Sequence, residues 1–376
     1  MAKKIKPTDS AGTKRKATPR LPEALLSKIN QLDERLVQLA QERARLVLDA
    51  ARQSPSQAAA LCAATLDAES LGRLASLAGE TGLPQSCVQS LLREIASGCR
   101  SLIREARIAF LGPLYSFSHL AAIHRFGQSV EFVPVGTIAA VFEEVHRKQC
   151  DFGLAPIENS TDGRVADTLD MFTRMRVRIC GEVELRIHHS LLGKCLRTDV
   201  REVYSKPQAL SQCRNWLAKH LPSARTIEVT STSTAAQLAS EKPGAAAIAS
   251  LQAGVRYGLD ALAEIIEDNP FNTTRFAVIG DHPSPKTGND RTAVLFQVEH
   301  RPGTLADTMM IFKRSKLNLT WIESFPLPGP ERGYLFFVEM EAHESDPRFR
   351  RAMAVLGKKA LRLEILGSFP ATAPVD

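Results

Sequence analysis

A hydroxyl beside a guanidinium, both held by a rigid strand, can grip an anion and help an oxygen leave it. Residues 269–280, NPFNTTRFAVIG, offer that arrangement. Asn272-Thr273-Thr274 reads as a polar turn, with Arg275 following at the mouth of Phe276-Ala277-Val278-Ile279-Gly280. That run is short, apolar and β-prone, so it reads as a core strand. Thr274 and Arg275 are therefore the candidate catalytic pair for an anionic substrate that must lose a hydroxyl. The same residues allow a plainer reading, a threonine capping its own turn and an arginine paired with Asp268 or Glu267.

Three further segments have related chemistry. A strand, a hydroxyl-bearing loop and a helix are expected at Ile108–Leu111 with Ser116, at 152–157 with Glu158-Asn159-Ser160-Thr161-Asp162, and at 226–230 with Ser231-Thr232-Ser233. Each puts Ser, Thr or Asn where free backbone N–H groups and the positive end of a helix dipole point. Such ends suit carboxylates or phosphates, although one alone is only a cap. Together, Ser116, Asn159, Ser160, Thr161, Ser231, Ser233 and the Thr274-Arg275 turn suit a small polyanion. Neither GxGxxG nor a Walker loop occurs, which disfavours a nucleotide.

The elements that must position these residues follow from periodicity. Leu25, Ile29, Leu32, Leu36, Leu39, Arg43 and Leu46 are spaced as a coiled-coil seam. Arg43 on that seam needs an anion, from a neighbouring carboxylate or from a ligand. Helices at 57–77 and 84–104 complete a three-helix unit over 21–105. Alternating strands and helices over 107–284 indicate an α/β domain. Its long strand at 181–192 is expected to cross between two lobes, the chain returning near 259–266. His188 and His189 lie on that strand, point to opposite faces, and are read as structural. Residues 283–290 form a linker by composition. The order strand, helix, strand, strand, helix, strand then predicts a split βαββαβ unit with an edge suited to self-association.

Bulk properties narrow the class. The chain has 376 residues, enough for two or three domains. The first 20 residues hold seven basic side chains against Asp9, so they carry most of the formal +7 and read as a disordered tail. Nucleic-acid binding is thus confined to that tail, if it occurs at all, and is not expected. Without an apolar run of membrane length or a signal-like N-terminus, the expectation is a cytoplasmic protein. Seven cysteines without CxxC or Cys/His spacing read as reduced core thiols, with no metal site.

FLGPLYSFSHLAA, PIENSTDG, GEVELRIHH, YSKPQAL, NTTRF, RPGTL and IESFP occur in that order. On these motifs the chain resembles the bifunctional chorismate mutase–prephenate dehydratase family over nearly everything after the basic tail. The resemblance implies a multidomain chain: a basic tail (1–20), an all-α mutase-like helical domain (21–105), a two-lobed α/β dehydratase domain similar in form to periplasmic binding proteins (107–284), and an α+β ferredoxin-like ACT domain (291–370). It implies conversion of prephenate to phenylpyruvate without metal or organic cofactor. Thr274 falls on the family's essential threonine, Arg275 on the arginine after it, and Glu158-Asn159-Ser160 on the ENS motif. L-Phenylalanine is the implied effector, at Gly303-Thr304-Leu305 and Glu323-Ser324, and a homodimer or higher homo-oligomer is implied.

The departures shape two expectations. Arg43 matches a mutase arginine, but the first-helix arginine position reads Leu26, the lysine falls near Ser54, and QAAALCAATLDAESLGRL lacks Asp-x-x-Arg-Glu. Mutase activity is therefore expected to be weak or absent, the helical unit serving mainly to dimerise. Leu114-Tyr115 replaces a glycine-rich stretch and is expected to reshape a pocket wall. Glu-Ser-Arg-Pro reads Glu323-Ser324-Phe325-Pro326. Alternatives are an arogenate dehydratase or a catalytically inactive ACT-linked amino-acid sensor.

Overall fold

The computed structural model describes residues 22–54, 82–327 and 333–375. The basic tail and the helix expected at 57–77 lie outside them. Helix α1 (Glu23–Gln53) is a 31-residue rod with no buried residue. Its seam leaves Leu32, Leu36, Leu39 and Leu46 each more than half exposed. Helix α2 (Gln85–Ser101) starts after Pro84, whose missing N–H costs nothing at a helix start. Ser97 Oγ and Glu94 Oε2 of α2 accept the Ser129 and Gln128 amides, and Arg100 donates to the Phe126 carbonyl at 2.9 Å, so this helix is fastened to the next domain.

The first lobe comprises β1 (Arg107–Leu111), α3 (Phe117–Phe126), β2 (Glu131–Val135), α4 (Ile138–His146), β3 (Phe152–Asn159), β4 (Gly163–Arg164), α5 (Ala166–Arg174) and β5 (Arg178–Arg186). The chain then crosses to a second lobe of β6 (Ser190–Gly193), β7 (Glu202–Ser205), α6 (Pro207–Gln212), α7 (Arg214–His220), β8 (Arg225–Glu228), α8 (Thr232–Glu241), β9 (Ala245–Ala249), α9 (Leu251–Tyr257) and β10 (Asp260–Ala263). It returns as β11 (Thr273–Gly280), which enters the first sheet between β3 and β5 to give the order β2-β1-β3-β11-β5. The second sheet has the order β10-β6-β9-β7-β8. The expected crossing strand is thus two strands, β5 and β6, broken at residues 187–189 where it changes sheets. Two crossing segments zip together there: Ile187 N donates to Asn272 O at 2.8 Å and Ile266 N to His189 O at 2.9 Å.

Strand β11 is central because both its faces are apolar. Phe276 and Val278 pack with Ile108, Phe110 and Ala121 under α3. Ala277 and Ile279 pack on the other side with Val141, Phe142 and Phe172. Each phenylalanine buried this way contributes about 2–3 kcal/mol.

The C-terminal unit comprises β12 (Asp290–Gln297), α10 (Thr304–Arg314), β13 (Leu319–Pro326), β14 (Tyr334–Met340), α11 (Pro347–Leu356) and β15 (Arg362–Pro370). Its antiparallel sheet has the order β13-β14-β12-β15, a split βαββαβ arrangement. It is not a tethered module. Leu295, Leu335, Phe337, Leu366 and Phe369 share one core with Ala155, Ala277 and Ile279 of the first lobe. At the contact Gly367, at φ 143°, lies so near β5 that a Cβ there would stand 2.2 Å from the Ile179 carbonyl oxygen. Only glycine permits that approach. Residues after β15 then cover the β5 edge, Val375 exchanging hydrogen bonds with Glu184 and Arg186.

Burial makes several polar groups inert. It pushes the Cys150 and Cys180 thiols up to about 11. His119 is buried between Phe110, with ring centroids at 5.0 Å, and Phe132, at 4.8 Å. Its Nδ1 accepts the Tyr115 amide at 3.1 Å. Burial holds this imidazole neutral, lowering its pKa from 6.5 to about 4. The unfolded chain takes up the proton first as pH falls, so this residue's contribution is complete above 6.5 and drains away towards about 4. The expected loss is on the order of 2–3 kcal/mol. His119→Asn, which keeps an acceptor for Tyr115, should show a shallower fall in stability between about pH 7 and about pH 4.5 in urea unfolding. Equal acid slopes in the two proteins would exclude this role.

Candidate active site

The two lobes face each other across a cleft of about 930 Å³, lined from the first lobe by Ser116, Asn159, Arg164 and Thr274 and from the second by Lys206, Gln212 and Ser231, with His189 from the crossing segment. Thr274 faces this cleft with Phe276, two residues on, as strand alternation requires. Its cross-strand partner on β3 is Asn159, and the Asn159 Nδ2 amide donates to Thr274 Oγ1 at 2.8 Å.

Asn159 cannot turn around. Its Oδ1 accepts the backbone amides of Thr161 and Asp162, both at 3.0 Å. Its NH2 group therefore points at Thr274 Oγ1, the Thr273 carbonyl and Asn272 Oδ1. A hydroxyl that accepts from Asn159 keeps its own O–H to donate elsewhere. The donor into its lone pair also polarises that O–H. The arrangement thus presents one neutral hydrogen-bond donor, fixed at its oxygen, to whatever occupies the cleft.

Two helix starts face the same space. Ser116 caps α3 by accepting the His119 amide, and Ser231 caps α8 by accepting the Thr234 amide. Their first-turn N–H groups, one set from each lobe, are of the kind that can accept an anion. Among the described residues lining the cleft, Arg164 and Lys206 carry the fixed positive charges. His189, buried at the crossing, meets Gln212 Oε1 through Nε2 at 2.9 Å, and burial lowers its pKa, so it is neutral near pH 7. Gln212 also accepts from Asn272 and donates to Asp162 at 3.2 Å, tying the lobes at the cleft floor.

Several expected positions lie elsewhere. Arg275 does not line the cleft. As the strand neighbour of Thr274 it points to the opposite face, where it pairs with Glu158 at 2.8 Å and with Glu182 and Glu339 at 2.9 Å. Neither the expected anion role nor pairing with Asp268 or Glu267 holds: Asp268 accepts the Asn215 and Trp216 amides, and Glu267 accepts His189 N and meets His188. Ser160 points away from the cleft and accepts the Thr273 amide at 2.9 Å, closing the turn. Thr161 supports Asn272 Oδ1 at 3.2 Å. These residues cap no helix, since α5 begins after Val165 without a side-chain cap. Ser233 is buried and donates to the Leu114 carbonyl at 2.7 Å.

Leu114-Tyr115 likewise clasps the second lobe rather than shaping the cleft wall. The Tyr115 carbonyl accepts from Ser250, and Arg256 lies 5.8 Å from the centre of its ring. In the C-terminal unit, Glu323 and Ser324 sit on opposite faces of β13. Glu323 points at the first lobe, where it pairs with Arg164 and accepts Trp321 Nε1 at 3.3 Å. Ser324 faces outward. Gly303, in a left-handed conformation at φ 87°, starts α10, and the Thr304 hydroxyl closes that turn onto the Glu299 and Arg301 carbonyls.

Sequence reasoning missed Arg164, His189, Lys206 and Gln212 as cleft residues. Lys206 lies within the YSKPQAL motif, but nothing local aims its side chain. His189 was undecidable because the strand breaks beside it, resetting the alternation.

A family model of prephenate dehydratase matches residues 108–284, and one of type II chorismate mutase matches residues 25–104. A bifunctional chorismate mutase/prephenate dehydratase of Stutzerimonas stutzeri is 39% identical over 354 residues, 92% of this chain and 97% of that protein. A chloroplastic arogenate dehydratase/prephenate dehydratase of Arabidopsis thaliana is 36% identical over 71% of this chain and 72% of its own. The crystal structure of prephenate dehydratase in complex with L-Phe from Arthrobacter aurescens superposes with a TM-score of 0.66 at 30% identity, covering 70% of this chain and 90% of that one.

Proposed function

The chain belongs to the bifunctional chorismate mutase/prephenate dehydratase family, and we propose that the Thr274 cleft converts prephenate to phenylpyruvate, water and CO2 in L-phenylalanine biosynthesis. The observation that carries this reading is the bond from a locked Asn159 into Thr274 Oγ1. In the reaction the ring carboxylate leaves as CO2 and its bonding pair enters the ring. The C–O bond to the ring hydroxyl breaks, and the oxygen departs as water with an added proton. A threonine hydroxyl is a poor acid, so Thr274 acts as hydrogen-bond donor to that oxygen or as the end of a proton relay. Such donation contributes roughly 10²–10⁴-fold. The N-termini at Ser116 and Ser231, with Lys206 and Arg164, hold the side-chain carboxylate. Asn159, Ser160 and Thr161 fix the turn that aims Thr274. Neither metal nor organic cofactor has a part in this elimination.

We assign 107–284 as the dehydratase domain, 291–370 as an ACT domain and 21–105 as a mutase-like unit following a basic tail at 1–20. The split βαββαβ arrangement supports the second assignment, as does L-Phe in the Arthrobacter relative. We place the effector site at Gly303, Thr304 and Leu305 with Glu323 and Ser324, of which Ser324 is the exposed one and Glu323 pairs with Arg164. For the helical unit, Arg43 remains on α1 with Nη1 buried and unpartnered among the described residues. The substitutions at Leu26 and Ser54 support weak or absent mutase activity, since a rearrangement catalysed by binding alone depends on its cations. The exposed α1 seam supports self-association through a second copy.

Asp162 and Asp167 in the cleft lining would suit the ammonium of arogenate, so both substrates belong in the test. Wild type should form phenylpyruvate from prephenate. Thr274→Ala should lose roughly 10²–10⁴-fold in kcat. Asn159→Ala should lose roughly 10–100-fold, the worth of one hydrogen bond that orients the donor. Retained activity in Thr274→Ala would exclude this assignment, and faster turnover of arogenate would reassign the substrate. Chorismate, assayed in parallel, should disappear slowly or not at all; ordinary turnover would show that the helical unit is a working mutase. Gly303→Val strains a left-handed residue by about 1–2 kcal/mol and should weaken L-phenylalanine binding about tenfold by calorimetry. Unchanged affinity would move the effector site elsewhere.

A further inference from the structure

Arg275, displaced from the cleft, has a role of its own. Strands β3 and β11 each place one residue of a pair in the cleft and its neighbour behind the sheet. Thr274 lies opposite Asn159 and Arg275 lies opposite Glu158. The front of the pair is closed by Asn159–Thr274 at 2.8 Å and the back by Arg275–Glu158, also at 2.8 Å. One residue further on, the ladder is irregular: Phe276 pairs with Pro156, leaving Ile157 as a bulge. A bulge weakens backbone control of register, so the side-chain clamps matter most at this point.

The same guanidinium reaches two other strands. Its Nη2 bonds Glu182 on β5 and Glu339 on β14 of the C-terminal sheet, both at 2.9 Å. Trp321 of β13 lies 5.6 Å from it, ring to guanidinium. Glu339 is almost fully buried, and burial raises its pKa against the opposing pull of Arg275. A buried carboxylate deprived of its cation is strongly unfavourable, so β14 and β11 are held together here. Glu182 has a second cation, Arg291, and accepts the Thr372 amide, so the shared part of the node is Arg275–Glu339.

We propose that Arg275 is a positioning residue: through its pairs with Glu158 and Glu339, the C-terminal sheet sets β3 against β11 and so holds the Thr274 hydroxyl in its donating orientation. This role rests on the proposed function of Thr274, and it makes the C-terminal unit a structural part of the active site from behind. A purely structural ion pair would support stability alone; a positioning pair acts on turnover through Thr274.

The test uses the full chain, with Glu339→Gln and, because Glu158 is partly exposed and its loss is mild, Glu158→Gln as the second variant. Each should lower kcat for prephenate roughly tenfold with KM within about twofold, as expected for an interaction felt in the transition state. In a Thr274→Ala background the same substitutions should cost nothing further, because the hydroxyl they position is gone. Unchanged kcat in folded Glu158→Gln, or a loss that adds fully to Thr274→Ala, would overturn the proposal. Amide hydrogen exchange at residues 273–275 reads the strand without any substrate. Faster exchange in either variant supports the clamp, and unchanged exchange in both overturns it. A wild type inert towards prephenate would overturn the reaction assignment, and exchange alone would then decide the positioning.

Discussion

The structure depends on the pairing of β3 with β11 at the point where both strands leave the core. Strand alternation divides four residues between two environments: Thr274 and Asn159 face the cleft, while Arg275 and Glu158 face the C-terminal sheet. Ladder bonds alone would leave this end free to fray, since strand ends lose the neighbours that cooperate with them. Side-chain bonds on both faces close it. The Thr274 hydroxyl therefore sits on a strand end clamped on both faces rather than on a loop, which is what a donor held at one oxygen requires.

That restraint is unequal between the lobes. The first lobe shares its core with the C-terminal sheet, and Gly367 lets the two backbones approach within van der Waals contact. The second lobe is joined to it by two crossing segments and a few polar contacts, such as Ser233 to the Leu114 carbonyl and Gln212 to Asp162. Any widening of the cleft thus costs a handful of hydrogen bonds and the packing of Tyr115 if the second lobe moves, and a larger hydrophobic core if the first lobe parts from the C-terminal sheet. At roughly 0.5–1.5 kcal/mol net per hydrogen bond, the former is the softer motion.

Much of this was legible in the sequence because it depends on local patterns. The apolar run after Thr274 specified a core strand, hydroxyl residues before apolar helical repeats specified the caps at Ser116 and Ser231, and alternating elements specified the α/β domain. Three readings failed for one shared reason: a residue's side of the sheet depends on register and tertiary neighbours. Adjacency in sequence suggests a Thr274–Arg275 pair, but adjacent residues of a strand face opposite ways. Ser160 and Ser233 look like the true caps in sequence, but one closes a turn and the other reaches the opposite lobe. Leu114-Tyr115 looked like an altered pocket wall, and its partners Ser250 and Arg256 lie some 135 and 141 positions away along the chain, beyond any local signal. The C-terminal docking was invisible for the same cause, since Gly367 reads as an ordinary glycine until β5 lies against it.

The placement of Arg275 also fits the chemistry that the cleft is proposed to carry. A guanidinium in the cleft beside Thr274 would grip the nearest carboxylate of a dianionic substrate. If that carboxylate is the one that leaves as CO2, the grip stabilises the reactant more than the transition state, in which its charge has moved into the ring, and turnover slows. Behind the strand, with three carboxylates around it, the cation's field on the cleft is largely cancelled, and what passes forward is only its mechanical hold on β3 and β11. The front face keeps a neutral donor, and the fixed positive charge of the lining lies on Lys206 and, shared with Glu323, on Arg164, where a carboxylate that is retained through the reaction can use it. A strand that puts a hydroxyl on one side and a cation on the other thereby separates two demands, bond-making to the departing oxygen and rigidity, that a single face could not meet together.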